Sequence, residues 1–177
     1  MMRKRLALLS LVAVCLLAFG LAPVFAAQFK DVKKTHWAYE LIQWGVENKL
    51  IKGFPDGTFK PSAYVTEQQF LAMLIRAYQG GFSNETNDAR WADPYYEFAK
   101  EMNYPTKGAD DLKKRKYYIT REHVAEIIAG TQGVNYSGKY AIHYLLANGL
   151  ATGKDPNNPS IKNFGGEEPL TRAQAVA

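Results

Sequence analysis

The chain has 177 residues, 22 Lys and Arg against 17 Asp and Glu, a formal net charge of +5 and one cysteine, Cys15. A single cysteine excludes an intramolecular disulfide framework, so an exported domain must be held by its core alone. Subtracting Arg3, Lys4 and Arg5 of an apparent leader leaves 19 basic against 17 acidic residues, with no concentrated basic face of the kind nucleic-acid binding requires.

That leader comes first in chain order. A basic start at Arg3–Lys4–Arg5, an apolar run from Leu6 to Ala22 and small residues at Ala26 and Ala27 predict a secretory signal peptide over residues 1–27. An uncleaved membrane anchor is the rival reading; the small residues and the polar chain that follows favour cleavage, leaving no stable membrane insertion. Val14 before Cys15 is not the small residue that lipid attachment needs, and removal of the leader also removes thiol chemistry.

The mature chain contains an internal repeat. "LIQWGVENKLIKG" (Leu41 to Gly53) aligns without gaps on "AIHYLLANGLATG" (Ala141 to Gly153). Ile42/Ile142, Asn48/Asn148, Leu50/Leu150 and Gly53/Gly153 coincide, and Trp44 aligns with Tyr144. In each copy the Ile opens an apolar helical stripe, the Asn ends it, and the Gly is expected to turn the chain with positive φ. A second element recurs as "VTEQQFLAMLIRAY", "ITREHVAEIIAG" and "LTRAQAVA". Thr66, Thr120 and Thr171 are the expected N-caps, with Gln69 and Gln174 completing capping boxes. Phe70, Met73 and Leu74, and then Val124, Ile127 and Ile128, are the expected buried stripes.

Each unit thus reads as helix, Gly-marked turn, loop and capped helix. Three such units are expected, at 28–80, 88–132 and 135–177, joined by the polar linkers "QGGFSNETND" and "GTQGVNYSG". The middle unit diverges: its first helix, near "WADPYYEFAKEMNY", has Pro94 at its start, and its loop "KGADDLKKRKYY" lacks an Asp-Gly turn. The run Lys113–Lys116 is read as a solvated loop.

The stretch "FKDVKKTHWAYELIQWGVENKLIKGFPDGTFKPSAYVTEQQFLAMLIRAY", residues 29–78, resembles the S-layer homology family, and the resemblance covers essentially all of the mature chain. Phe29, Asp31, Val32, Trp37, Ala38, Gly53, Asp56, Gly57, Phe59, Pro61 and Thr66 fall in that family's order, and "ITREH" and "LTRAQ" keep its helix start. The resemblance implies an all-α fold of three helix-loop-helix repeats arranged pseudo-threefold around a central bundle. It also implies a non-catalytic module that binds an acidic, often pyruvylated, secondary cell-wall polysaccharide attached to peptidoglycan. The grooves it implies lie between neighbouring repeats, with the Arg of a helix start on one side and the glycine turn of another repeat on the other.

The chemistry of a helix start supports that expectation. Unpartnered N–H groups and a positive dipole end favour an anion, and an adjacent arginine offers a planar fork to a carboxylate. Arg121 and Arg172, after Thr120 and Thr171, are therefore the leading ligand-binding candidates. Gly53, Gly108 and Gly153, with Lys52, Lys107 and Lys154 beside them, are expected to line the same grooves. In the first unit the position holds Glu67, which should weaken its groove. Exposed arginines and turn lysines are commonly solvated, and that is the bland reading of each. Trp37, Trp44 and Tyr144 are expected in the core, whereas Tyr117 or Tyr118 could face a sugar.

Catalytic parts are missing from the pattern. His36, His123 and His143 lack metal-ligand spacing, and Asp110/Asp111 and Glu167/Glu168 are adjacent pairs, unable to oppose one another as a glycosidase requires. No metal and no cofactor are expected. The third capped helix reaches Ala177 before its apolar +7 and +8 positions, which reads as a fragment of a longer surface protein. The alternatives are self-association in a surface lattice, and an anchor for a surface glycan hydrolase lying beyond Ala177.

Overall fold

A computed structural model describes residues 29–80, 82 and 89–177; the expected signal peptide and most of the first linker lie outside them. The described chain is helical, as the periodicity requires. Five longer helices run over Tyr39–Glu47 (α1), Glu67–Tyr78 (α2), Asp93–Glu101 (α3), Arg121–Thr131 (α4) and Lys139–Ala147 (α5), followed by the short α6 at Ile161–Phe164. Single 3₁₀ turns lie at Lys114–Lys116 and Gln174–Val176. No described helix is long and apolar enough to cross a membrane.

Local chemistry sets the helix ends. Asn48 and Asn148 are both C-caps, and each side-chain amide donates to a carbonyl one turn back, Trp44 O or Tyr144 O, at 2.8 Å. The residue after each of the C-caps Asn48, Met102 and Asn148 is left-handed: Lys49 (φ 60°), Asn103 (φ 56°) and Gly149 (φ 67°). At the capped helices, the Thr66 amide donates to Gln69 Oε1 and the Thr171 amide to Gln174 Oε1, both at 3.0 Å. Thr120 Oγ1 accepts from the His123 amide at 3.3 Å. The second linker starts later than its composition indicates, because α4 includes Gly130 and Thr131. A Cβ on Gly130 would approach Pro105 Cδ to 2.9 Å, so the glycine serves close packing within the helix.

The capped helices do not pack chiefly on the helix that precedes them. Instead α2 packs on α3, α4 on α5, and α1 on the 3₁₀ turn at Gln174–Val176. Consequently α2 buries Leu71, Ala72 and Ile75 against Ala92, Tyr95, Tyr96 and Ala99. Met73 and Leu74, expected at the centre of the stripe, are only partly buried. A second correction concerns Trp37 and Trp44, which are 62% and 54% exposed where the sequence placed them in the core. Tyr144 is half-buried and packs its ring 5.5 Å from Tyr136.

At the centre, Val65, Ile119 and Leu170, the residues before the three caps, are buried and close a cycle of backbone hydrogen bonds. Val65 N donates to Leu170 O at 3.0 Å, Leu170 N to Ile119 O at 2.9 Å, and Ile119 N to Val65 O at 3.0 Å. Phe70, Val124 and Ile127 pack around them. This ring satisfies three backbone donors that burial would otherwise leave unpaired, and it ties together the segments that enter α2, α4 and the Thr171 start, the last of which continues as a turn and the 3₁₀ turn Gln174–Val176 where the sequence led us to expect a capped helix.

Candidate functional site: three helix-start junctions

Because the ring is cyclic, each helix start meets the loop of a different unit. Arg172 reaches the first loop, Arg121 the third and Glu67 the second. The sequence candidates therefore gather as three groups: Arg172 with Lys52 and Gly53, Arg121 with Gly153 and Lys154, and Glu67 with Lys107 and Gly108.

The first loop is rigid for identifiable reasons. Asp56 Oδ1 accepts from both the Thr58 amide (2.9 Å) and its hydroxyl (2.6 Å), and Gly57 takes φ 78°. Asp31 clamps the far side, accepting the Phe59 amide on Oδ1 at 2.8 Å and the Lys60 amide on Oδ2 at 2.7 Å. Gly53 has an ordinary negative-φ backbone, contrary to the sequence expectation. Its role is steric, since a Cβ there would lie 2.1 Å from Phe29 Cε1.

Against this loop Arg172 is only 9% exposed. Its Nε donates to Phe59 O at 2.7 Å and its Nη2 to Lys52 O at 3.1 Å. The guanidinium also lies 4.8 Å from the Phe54 ring and 4.6 Å from the Phe59 ring. Burial lowers its pKa, opposed by the charge of Asp31, but a guanidinium keeps its proton. Arg172 is thus largely committed to fastening the loop to the helix start.

Arg121 is half-buried and its side chain makes a single hydrogen bond, from Nε to Phe164 O at 2.6 Å, beside the Phe164 ring. Among the described residues its two terminal amino groups have no partner. The helix-start N–H groups are not unpartnered as the sequence led us to expect: the Arg121 and Glu122 amides donate to Glu168 O and Gly166 O, both at 2.9 Å, and the His123 amide to Thr120 Oγ1. Lys154 pairs with Glu168 at 2.5 Å nearby, and Gly153 takes φ 78° as the sequence requires. Arg121, Gly153, Lys154 and Phe164 line a cleft of about 800 Å³ that also exposes Trp37, Trp44, Met73 and Leu74.

At the third junction the polarity is reversed. Glu67 is 3% exposed, and its carboxylate accepts four hydrogen bonds. Tyr96 Oη (2.9 Å) and Gly108 N (2.6 Å) donate to Oε1, while Lys107 N (3.0 Å) and His123 Nε2 (2.7 Å) approach Oε2. Nδ1 of His123 lies 2.8 Å from Glu126 Oε2, whose Oε1 accepts the Gly138 amide at the start of α5. Burial would raise the Glu67 carboxyl; the His123 hydrogen bond and charge and the two amides more than offset it, leaving it below the ordinary value of 4.5. Burial and the Glu67 charge push Tyr96 up, so it remains a donor.

Sequence reading singled out Glu67, Lys107 and Gly108 but missed the side-chain partners. Tyr96, His123 and Glu126 are ordinary residues on amphipathic helices, and only the fold brings them together. Arg115 was misread as part of a solvated run. It is buried, donates from Nε to Gly108 O at 2.7 Å, pairs with Asp93, and stacks 4.1 Å from Tyr96. Its burial beneath the loop is what pins Gly108. Tyr117 and Tyr118 are exposed, with Tyr118 5.4 Å from Tyr64. No group of described His, Cys, Asp and Glu residues is placed to hold a metal ion.

A helical module of capped helix starts docked on glycine-marked loops is the class that the fold and these junctions define. The family model for the S-layer homology domain matches residues 28–71 and 126–176, more than half of the chain. The chain belongs to the S-layer homology domain family. It is 28% identical over 119 residues to cell surface glycoprotein 1 of Acetivibrio thermocellus, covering 58% of this chain and 5% of that protein. Identity to the cellulosome-anchoring protein of the same organism is 31% over 110 residues, 56% of this chain and 25% of that protein. An endoglucanase of a Bacillus species is 27% identical over 113 residues, 57% of this chain and 12% of the enzyme. The matched region spans a quarter or less of each of these relatives.

Proposed function

We propose that this chain is a non-catalytic module that anchors a protein at the bacterial cell surface by binding an acidic secondary cell-wall polysaccharide, pyruvylated and attached to peptidoglycan. Surface, anchoring and hydrolase relatives sharing only this small region support a common attachment role with differing payloads. Three repeats, at 28–80, 88–132 and 135–177, are arranged pseudo-threefold about the central hydrogen-bond ring. The observation that carries the ligand reading is Arg121: a guanidinium at a capped helix start, with two terminal amino groups available at the edge of a cleft. That fork suits a carboxylate; the first-turn amides of the helix are already bonded to protein oxygens, so the arginine side chain carries the recognition. Gly153 and Lys154 form the opposite wall, and Thr120 holds the helix start in register. Arg172, Thr171, Lys52 and Gly53 form the second, tighter junction.

Sedimentation with purified sacculi tests this. Binding should require the secondary polymer, vanish on acid-stripped walls and fall at least tenfold in Arg121→Ala. Undiminished binding by the folded variant would remove the helix-start site. A second reading, self-association, is favoured by the exposure of Trp37 and Trp44 beside the apolar cleft. A concentration-dependent dimer lost in Trp37→Ala/Trp44→Ala, with wall binding independent of both arginines, would establish it instead.

A further inference from the structure

We infer that the third junction is a carboxylate receptor already occupied by the protein's own Glu67, which acts there as a built-in ligand. Two consecutive backbone amides, a tyrosine hydroxyl and an imidazole, from the 107–108 turn, α3 and α4, converge on one carboxylate. None belongs to the helix that carries Glu67. The turn is shaped for the carboxylate: a Cβ on Gly108 would stand 2.8 Å from Glu67 Oε1 and 2.6 Å from Tyr96 Oη. Arg115 holds the Gly108 carbonyl from the other side, leaving the amide aimed at Glu67.

The receptor also has a route to solvent. A cleft of about 190 Å³ bounded by Lys107, Lys114, Tyr117, Tyr118 and Thr120 has Glu67 and His123 in its lining. Shortening the side chain at position 67 therefore leaves a donor set complementary to a small monocarboxylate and open to it. Resting on the anchoring reading, the consequence is that this junction takes no acidic group of the polymer, because the chain supplies that group itself. The charged and titratable groups around the seat are His123, Tyr96, Glu126 beyond His123, Arg115 over the Tyr96 ring with its partner Asp93, and Lys107, Lys114, Tyr117 and Tyr118 along the cleft.

The test is Glu67→Ala, followed by thermal unfolding in sodium formate or acetate against sodium chloride at equal ionic strength. At ten times its dissociation constant, formate should raise the unfolding midpoint by about 3–6 °C. The rise should saturate and be absent from wild type. Equal midpoints in formate and chloride would overturn the receptor. Should the variant be unfolded in chloride, regain of helical circular dichroism in formate supports it.

Wild type provides an independent measurement. The Lys107 and Gly108 amide protons should resonate at low field and move together with one acid titration, that of Glu67. Amides that ignore it would mean that no carboxylate is seated on them. Neither result bears on wall binding through Arg121, so failure of the receptor and failure of the anchor are separately visible.

Discussion

Replacing Arg172 by Ala removes a buried fork from the interface between the last helix start and the first loop. Phe59 O loses a charged donor in a buried place, at about 1–3 kcal/mol, and Lys52 O, only partly buried, loses one at the lower end of that range. The vacated space between the Phe54 and Phe59 rings adds about 0.5–1 kcal/mol for the lost cation–π contact. These losses overlap, because all come from one group, so the expected cost is about 3–5 kcal/mol. For a chain of this size that corresponds to a fall in unfolding midpoint of about 6–20 °C. Urea unfolding followed by far-ultraviolet circular dichroism measures it directly. Arg172→Lys should recover less than half of the loss, since a point charge cannot reproduce the planar fork that bonds one carbonyl from Nε and another from Nη2. An Arg172→Ala variant within about 1 kcal/mol of wild type would refute the staple, and with it the division of labour between Arg172 and Arg121.

Arg121→Ala loses one charged hydrogen bond, to Phe164 O, and should cost about 1–2 kcal/mol by the same urea assay while sacculus binding falls much further; equal losses in stability for Arg121→Ala and Arg172→Ala would contradict the structure. Gly53→Ala places a methyl group against the Phe29 ring and should cost about 1–3 kcal/mol, and Gly53→Asn should be no better tolerated, whereas at Gly57, with φ 78°, Asn should be milder than Ala. Acid should loosen the Glu67 junction. Burial raises the Glu67 and Glu126 carboxyls, but the His123 contacts and backbone amides outweigh it and hold both below the ordinary value of 4.5. Their stabilisation is therefore present above the unfolded-state pKa and lost as pH falls through the folded values, beginning near about pH 5. Glu67→Gln, which cannot gain a charge, should be less stable at pH 7 with a flatter profile below pH 5. Parallel wild-type and Glu67→Gln curves would show that the carboxylate charge does not matter to folding.

Much of the local structure was legible because it depends on neighbours in sequence. Thr66 and Thr171 with Gln69 and Gln174, three places on, name capped starts, and Asn48 and Asn148 name two ends, since the groups that bond are within one helical turn. The candidate site was legible as residue types at helix starts and turns. Gly53 was read correctly as special but for the wrong reason: positive φ is a local demand, whereas contact with Phe29 depends on how the chain returns. Met73 and Leu74 fit an apolar period and pack on the core only in part, because a period identifies an apolar stripe without saying how deeply each side of it is covered.

The sequence by itself determined that this chain is helical, repeated, capped at Thr66, Thr120 and Thr171, and provided with arginine at two helix starts and glutamate at the third. Tertiary structure alone decided which loop each start would meet, that Arg172 would be buried while Arg121 kept two amino groups available, and that Glu67 would find its donors. The physical reason is distance along the chain. Caps and stripes act over three or four residues, while Glu67 meets His123 across 56 positions and Arg172 meets Lys52 across 120. Those meetings are fixed by the closed ring of Val65, Ile119 and Leu170, whose buried backbone groups must pair with one another.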